Sequence, residues 1–234
     1  MYVDQAVFAS SRNTQASGYQ LVSRSRGIDE QTATTLRDWG PSQGALLSRD
    51  VDASAYSYYT LGPDRAVVSR TIYGGPEYSQ RGELEVYTRS IVVSKRMLEN
   101  YDNNPWWLIK TIQTLGYFRL TRQSEPWMVE VDLPSRSLLG VQTKPSSRIG
   151  NEPLSLAVQS LQMNRPVALI GKLNIDDAMT QLMSCLGVQQ RTRISFTTGM
   201  VPSVRRPFLL HLFPQGSATL NSKLIKLGIS PVDC

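Results

Sequence analysis

Little in this chain of 234 residues exchanges a proton near neutral pH: it has one histidine, His211, and two cysteines, Cys185 and Cys234. A histidine-based metal centre or a Ser–His triad would have to rest on that one imidazole. His211 sits in the apolar run FLLHLF, where a lone histidine reads as a hydrogen-bonded core or sheet-face residue. The cysteines form no disulfide framework, which fits a reduced, cytoplasmic setting. Cys185 falls in a predicted helix beside Met183 and Leu186 and is expected to serve packing. No apolar run approaches the roughly 18 residues of a membrane span. The N-terminus MYVDQAVFASSRN has neither the basic start nor the long apolar run of a signal peptide. Glycine-rich phosphate loops of the G-x-G-x-x-G or G-x-x-x-x-G-K-[ST] kind are missing. No residue is therefore assigned a catalytic, cofactor-binding or metal role. The chain is expected not to be an enzyme.

Arginine is plentiful. It outnumbers lysine 19 to 6, and the net charge is +6. Through Tyr117 there are 12 basic and 12 acidic residues; from Phe118 onward there are 13 and 7. The excess lies wholly in the second half, where Arg205 and Arg206 join Arg191 and Arg193. Arginine suits planar, bidentate contact with carboxylate or phosphate, so this half is where an acidic or nucleic-acid partner would bind. A pI of 9.4 without a lysine-rich cluster favours the plainer reading, a solvated surface.

The pattern predicts an α+β fold: a strand-rich N-terminal half with hairpins, then a mixed helix and strand C-terminal half. Alternation predicts strands over Val3–Ala9 and Tyr19–Ser25. Asp29 reads as the cap of a helix through Trp39, stopped by Gly40-Pro41. Tyr56–Leu61 and Arg65–Tyr73 flank Gly62-Pro63-Asp64 as a hairpin, and Leu84–Val93 is a longer strand. Ser94 caps a short helix; Asn104 followed by Pro105 starts a stronger one, ended by Gly116. Trp127–Leu133 is read as one strand, and Ser135–Asn151 as the best linker candidate. Helices are expected over Leu154–Met163 and Asp176–Leu186, and strands over Pro166–Ile170, Arg193–Thr198 and Phe208–Phe213. The division expected is a lobe over 1–134, a linker over 135–151 and a smaller lobe over 152–234, with one continuous fold as the other arrangement.

The candidate partner-binding residues gather around a glycine loop. Gly74-Gly75-Pro76 and Gly82 flank Tyr78 and Arg81, and Tyr87 and Arg89 follow on the next strand. Tyrosine and arginine anchor interfaces, which sets these four first and Arg205 and Arg206 second. Nucleic-acid binding through the basic half is the alternative reading, and it predicts affinity that falls steeply with salt. A third reading, an enzyme using Glu83, Glu85 and the arginines, needs a pocket that gathers them.

Four segments, VDQAVFASS…GYQLVSRSRG, YTLGPDRAVVSRTIYGGPEYSQRGELEVYTRSIVV, YDNNPWWLIKTIQTLGY and RTRISFTTGMVPSVRRPFLL, together resemble the N-terminal domain of the bacterial GTPase-associated protein family. The resemblance runs over roughly residues 3 to 213 and carries no catalytic signature. Members are large multi-domain proteins encoded beside small GTPases and other NTP-dependent components of conflict or signalling systems. The resemblance thus implies an adaptor or regulatory role, with a protein partner such as a small GTPase, no cofactor and no membrane.

Overall fold

A computed structural model describes residues 1–13, 16–76, 84–121, 126–135, 149–214, 216 and 218–234. Strands β1 (Tyr2–Asn13) and β2 (Ala16–Ser25) form the first antiparallel pair, with a register shift between Val7 and Phe8. Asp29 caps helix α1 (Glu30–Asp38) by accepting the Thr32 N–H at 2.7 Å. Strands β3 (Ser54–Leu61) and β4 (Arg65–Pro76) make the hairpin, with Gly62 at φ 65° in a turn that favours glycine. Then come β5 (Leu84–Ser94), the one-turn helix α2 (Lys95–Glu99) and helix α3 (Pro105–Thr114). Asn104 accepts the N–H of Trp106 and of Trp107 at the start of α3, and Pro105 occupies the first turn where its missing N–H costs nothing.

The expected strand Trp127–Leu133 is two short strands, β6 (Trp127–Met128) and β7 (Val131–Asp132). The reason lies in the partners. β2 ends at Ser25, so the passing chain pairs with its last residues and then crosses to β1, opposite Tyr2 and Val3. At the crossing the Gln5 side-chain amide donates to the Val129 carbonyl at 2.6 Å.

The C-terminal half supplies α4 (Asn151–Gln162), β8 (Val167–Ile170), α5 (Ile175–Cys185), α6 (Val188–Arg191), β9 (Phe196–Thr198), β10 (Leu210–Phe213), α7 (Ala218–Lys226) and β11 (Ser230–Asp233). α6, α7 and β11 were not read from the sequence. β11, β8, β10 and β9 pair in parallel; β9 then pairs antiparallel with β3. One sheet results, in the order β11-β8-β10-β9-β3-β4-β5-β1-β2-β6, with β7 joined to β1. The α+β class is as the sequence pattern predicts.

Alternation decides the two faces. Tyr58, Val68, Ile91, Phe196 and Leu210 point into the larger core, with Trp106, Leu108, Ile109 and Ile112 of α3 and Met179, Leu182 and Met183 of α5. Ala55, Tyr59, Val67 and Val92 point the other way, toward Ala33 and Leu36 of α1, and α7 covers Ala168, Ile170 and Phe213 on that same side. Residues from both halves of the chain therefore share the large core. Cys185 departs from expectation: it is the last residue of α5 and is exposed, because the packed face ends with Met183 and resumes at Leu186.

Candidate functional site

The arginines expected to bind a partner divide into two settings. Tyr78 and Arg81 lie outside the described residues. Tyr87 and Arg89 are two apart on β5 and share its face toward the large core. Both are turned inward. The Tyr87 hydroxyl donates to the Thr121 carbonyl at 3.2 Å, and burial pushes its pKa up. Arg89 is 9% exposed and gives both Nε and Nη2 to the Gln5 side-chain oxygen, with Nη1 on the Arg119 carbonyl at 3.3 Å and the Thr121 hydroxyl at 3.4 Å. Burial alone lowers its pKa, since no carboxylate faces it among the described residues. Directly opposite on β4 stands Arg70, which donates to the Phe118 carbonyl at 3.4 Å and lies 5.8 Å from the Tyr56 ring. Two facing cations would repel. Here carbonyls, an amide oxygen and a ring face take the place of counter-ions, and the pair ties β1, β4 and β5 to the segment Phe118–Thr121.

Arg205 and Arg206 stand on the arm between β9 and β10. Three backbone bonds pin the arm's root: Leu47 N–H to Gly199 O at 2.9 Å, Gly199 N–H to Leu212 O at 3.0 Å and Val201 N–H to Ala45 O at 2.8 Å. Gly199 takes φ 82°, which favours glycine. Beyond Pro202 the chain folds tightly, with Arg206 N–H on Ser203 O at 3.1 Å and Arg205 N–H on the Ser203 hydroxyl at 3.3 Å. This turn holds Val204 and Arg205 outward, Val204 at 79% exposure. Phe208 returns the arm to the interior, edge-on to Trp39, which in turn stacks on Tyr59 at 4.1 Å.

Between the arm, the loop Ser42–Ala45 and α7 lies a cleft of about 350 Å³, bounded by Val201, Pro202, Arg206, Lys223 and Leu227 among others. A neighbouring hollow of about 420 Å³ shares Gln43, Gly44 and Val201 with it and adds Arg49 and Tyr73. Arg206 also borders an inner cavity under Trp39, with room for roughly one water molecule, among Ser57, Ser69 and Ser90. Those serines belong to a row of small polar side chains crossing five strands: His211, Thr197, Ser57, Ser69 and Ser90 are successive cross-strand neighbours. The Ser57 and Thr197 hydroxyls bond at 2.9 Å. The sequence reading passed over this row because its members are unremarkable one by one. The available signal was the alternation of Ser69 and Thr71 on β4 and of Thr88 and Ser90 on β5.

His211 ends the row, 1% exposed, with Phe208 and Phe213 against its ring. Burial lowers its pKa to about 4, so it is neutral at pH 7, and its Nδ1 has no partner among the described residues. No group of histidine, cysteine, aspartate or glutamate suited to a metal ion occurs among the described residues, nor any helix long and apolar enough to cross a membrane.

Comparison with curated proteins finds none that matches. A family model described as GTPase-associated protein 1, N-terminal domain type 2, matches residues 2–131, more than half of the chain. The matched region covers β1 through β6 and reaches the first residue of β7; it includes the loop Ser42–Ala45 on one side of the cleft, while the arm and α7 lie beyond it. The chain belongs to this family.

Proposed function

We propose that this member of the GTPase-associated protein 1 N-terminal domain family is a non-enzymatic adaptor, which binds a protein partner within an NTP-dependent, GTPase-linked bacterial conflict system. The family's description supports the GTPase link. The observation that carries the interaction reading is the arm. A tight turn, pinned to Ala45–Leu47 at its root, holds an apolar side chain and an exposed arginine in solvent. Pre-organised presentation of this kind lowers the entropy cost of binding. The buried state of His211 supports the non-enzymatic side of the reading: a neutral imidazole enclosed by two phenyl rings has no approach to a substrate. Tyr78 and Arg81 remain candidates for the same partner, while Tyr87 and Arg89 act from behind by fixing β5.

The test is recovery of a partner from nuclease-treated lysate of the native host at moderate salt, its identification as an NTPase-system component, and reconstitution from purified proteins. The variant Val204→Asp/Arg205→Glu is expected to weaken the reconstituted complex at least tenfold without change in thermal stability. Unchanged affinity of that variant would remove the arm from the reading. Recovery of nucleic acid alone, lost as salt rises, would replace the adaptor with the nucleic-acid alternative.

A further inference from the structure

Arg206 is an anomaly of charge. Its Nε is fully buried without a hydrogen-bond partner, and no ion pair joins the guanidinium to a described residue. Desolvation lowers its pKa, and Arg205 beside it lowers it further. A half-buried cation in this condition is costly unless an anion answers it. Arg89 is answered by three neutral acceptors, and Arg70, whose Nε is likewise buried and bare, still donates to the Phe118 carbonyl; Arg206 makes no side-chain hydrogen bond to a described residue. On the open side of Arg206 lies the cleft, and Lys223 of α7 borders it too. None of the described residues lining the cleft is acidic, and Lys223 makes no ion pair with a described residue. Two cations thus converge on one concave space from different elements.

We infer that the cleft between the loop Ser42–Ala45, the arm and α7 is a binding site for a phosphorylated small molecule, whose phosphoryl oxygens bridge Arg206 and Lys223. The guanidinium fork takes two oxygens of one phosphoryl group, and the ammonium supplies a mobile point charge alongside. The walls favour a small molecule. At about 350 Å³ the cleft lies at the lower end of the range for ligand pockets. Ala45, Val201, Pro202 and Leu227 give it apolar sides for the organic part of the ligand. Val204 at the arm's tip also borders the cleft, but the two cations that define the site are Arg206 and Lys223, so the inference does not rest on the adaptor reading. Because the arm forms one wall of the cleft, an occupied cleft would stiffen the element that carries Val204 and Arg205.

Calorimetric titration of the full chain at low salt tests this, with pyrophosphate as the probe. Saturable binding at one site is expected, with a dissociation constant on the order of 1 mM or tighter. Arg206→Gln is expected to weaken it at least tenfold and Lys223→Gln about threefold to tenfold, with Arg206→Lys between them because it keeps the charge and loses the fork. Arg165→Gln, an exposed change of the same net charge distant in sequence, is expected to leave it unaltered. Chemical-shift changes confined to residues 42–45, 201–206 and 223–227 would place the probe in the cleft. Absence of binding, equal weakening by Arg165→Gln, or preference for a hexaglutamate peptide over pyrophosphate would each overturn the inference. The titration is done without a partner and is judged on Arg206 and Lys223, whereas the reconstitution is judged on Val204 and Arg205, so failure of one test leaves the other standing.

Discussion

The two buried arginine settings differ in what surrounds the charge. At Arg89 the strands bring an amide oxygen, a carbonyl and a hydroxyl to the guanidinium, and the residue is spent on architecture. At Arg206 the Nε is left bare, and the side chain borders both the small inner cavity and the cleft. Burial by itself therefore says nothing about role. What separates a clamp from a binding group is whether the fold supplies the acceptors.

The sharpest way to break this contrast is to remove each arginine in turn. Arg89→Ala strands Gln5 and the Arg119 carbonyl in the interior and is expected to cost about 3 kcal/mol, read as a lowered urea midpoint. Arg206→Met removes an unanswered charge, keeps the stem volume, and is expected to be neutral or to stabilise by about 1 kcal/mol. Equal destabilisation by the two would erase the distinction.

His211 offers a comparison of the same kind with a group that titrates. Its folded pKa, about 4, lies below the ordinary 6.5, so between those values the unfolded chain holds more protons than the folded one. Stability should then be full above pH 6.5 and decline as pH falls toward 4, by up to about 3 kcal/mol in total. His211→Phe is expected to flatten that part of a pH–stability profile, and an unchanged slope would show that His211 is not its source. The smaller effects come last. Asn104→Ala frees the N–H groups of Trp106 and Trp107 and should cost about 1 kcal/mol by thermal denaturation. Arg205→Ala, exposed at the tip, should stay within about 0.5 kcal/mol.

Much of the fold was legible because local chemistry decided it. Asp29, Ser94 and Asn104 cap the helices expected of them, and the Gly62 turn closes the expected hairpin. The break at Val129–Glu130 was not legible, since it depends on where β2 ends and β1 continues. α7 and β11 escaped notice for a similar reason: their sequence is mixed in polarity, and the exposed edge β11 is defined by pairing with β8. The candidate site was half visible. Arginine pairs stand out by composition, but only the three-dimensional neighbours tell that Arg89 is occupied and Arg206 is not. Lys223 carries no signal until the fold sets α7 across the cleft from the arm.

The seam between β9 and β3 has a consequence for how this architecture can be divided. Residues 2–131 carry the family signature, yet the outer edge of β3 is covered by β9, from beyond that stretch. Cutting the chain at the end of the match would leave the Ser57–Tyr58 edge unpaired and lay open Tyr58 and Trp106, which meet Phe196 in the large core. Such a fragment would present an adhesive strand to its own copies. In this chain the C-terminal half therefore does more than add a lobe: through β9 it shields the open edge of the signature region.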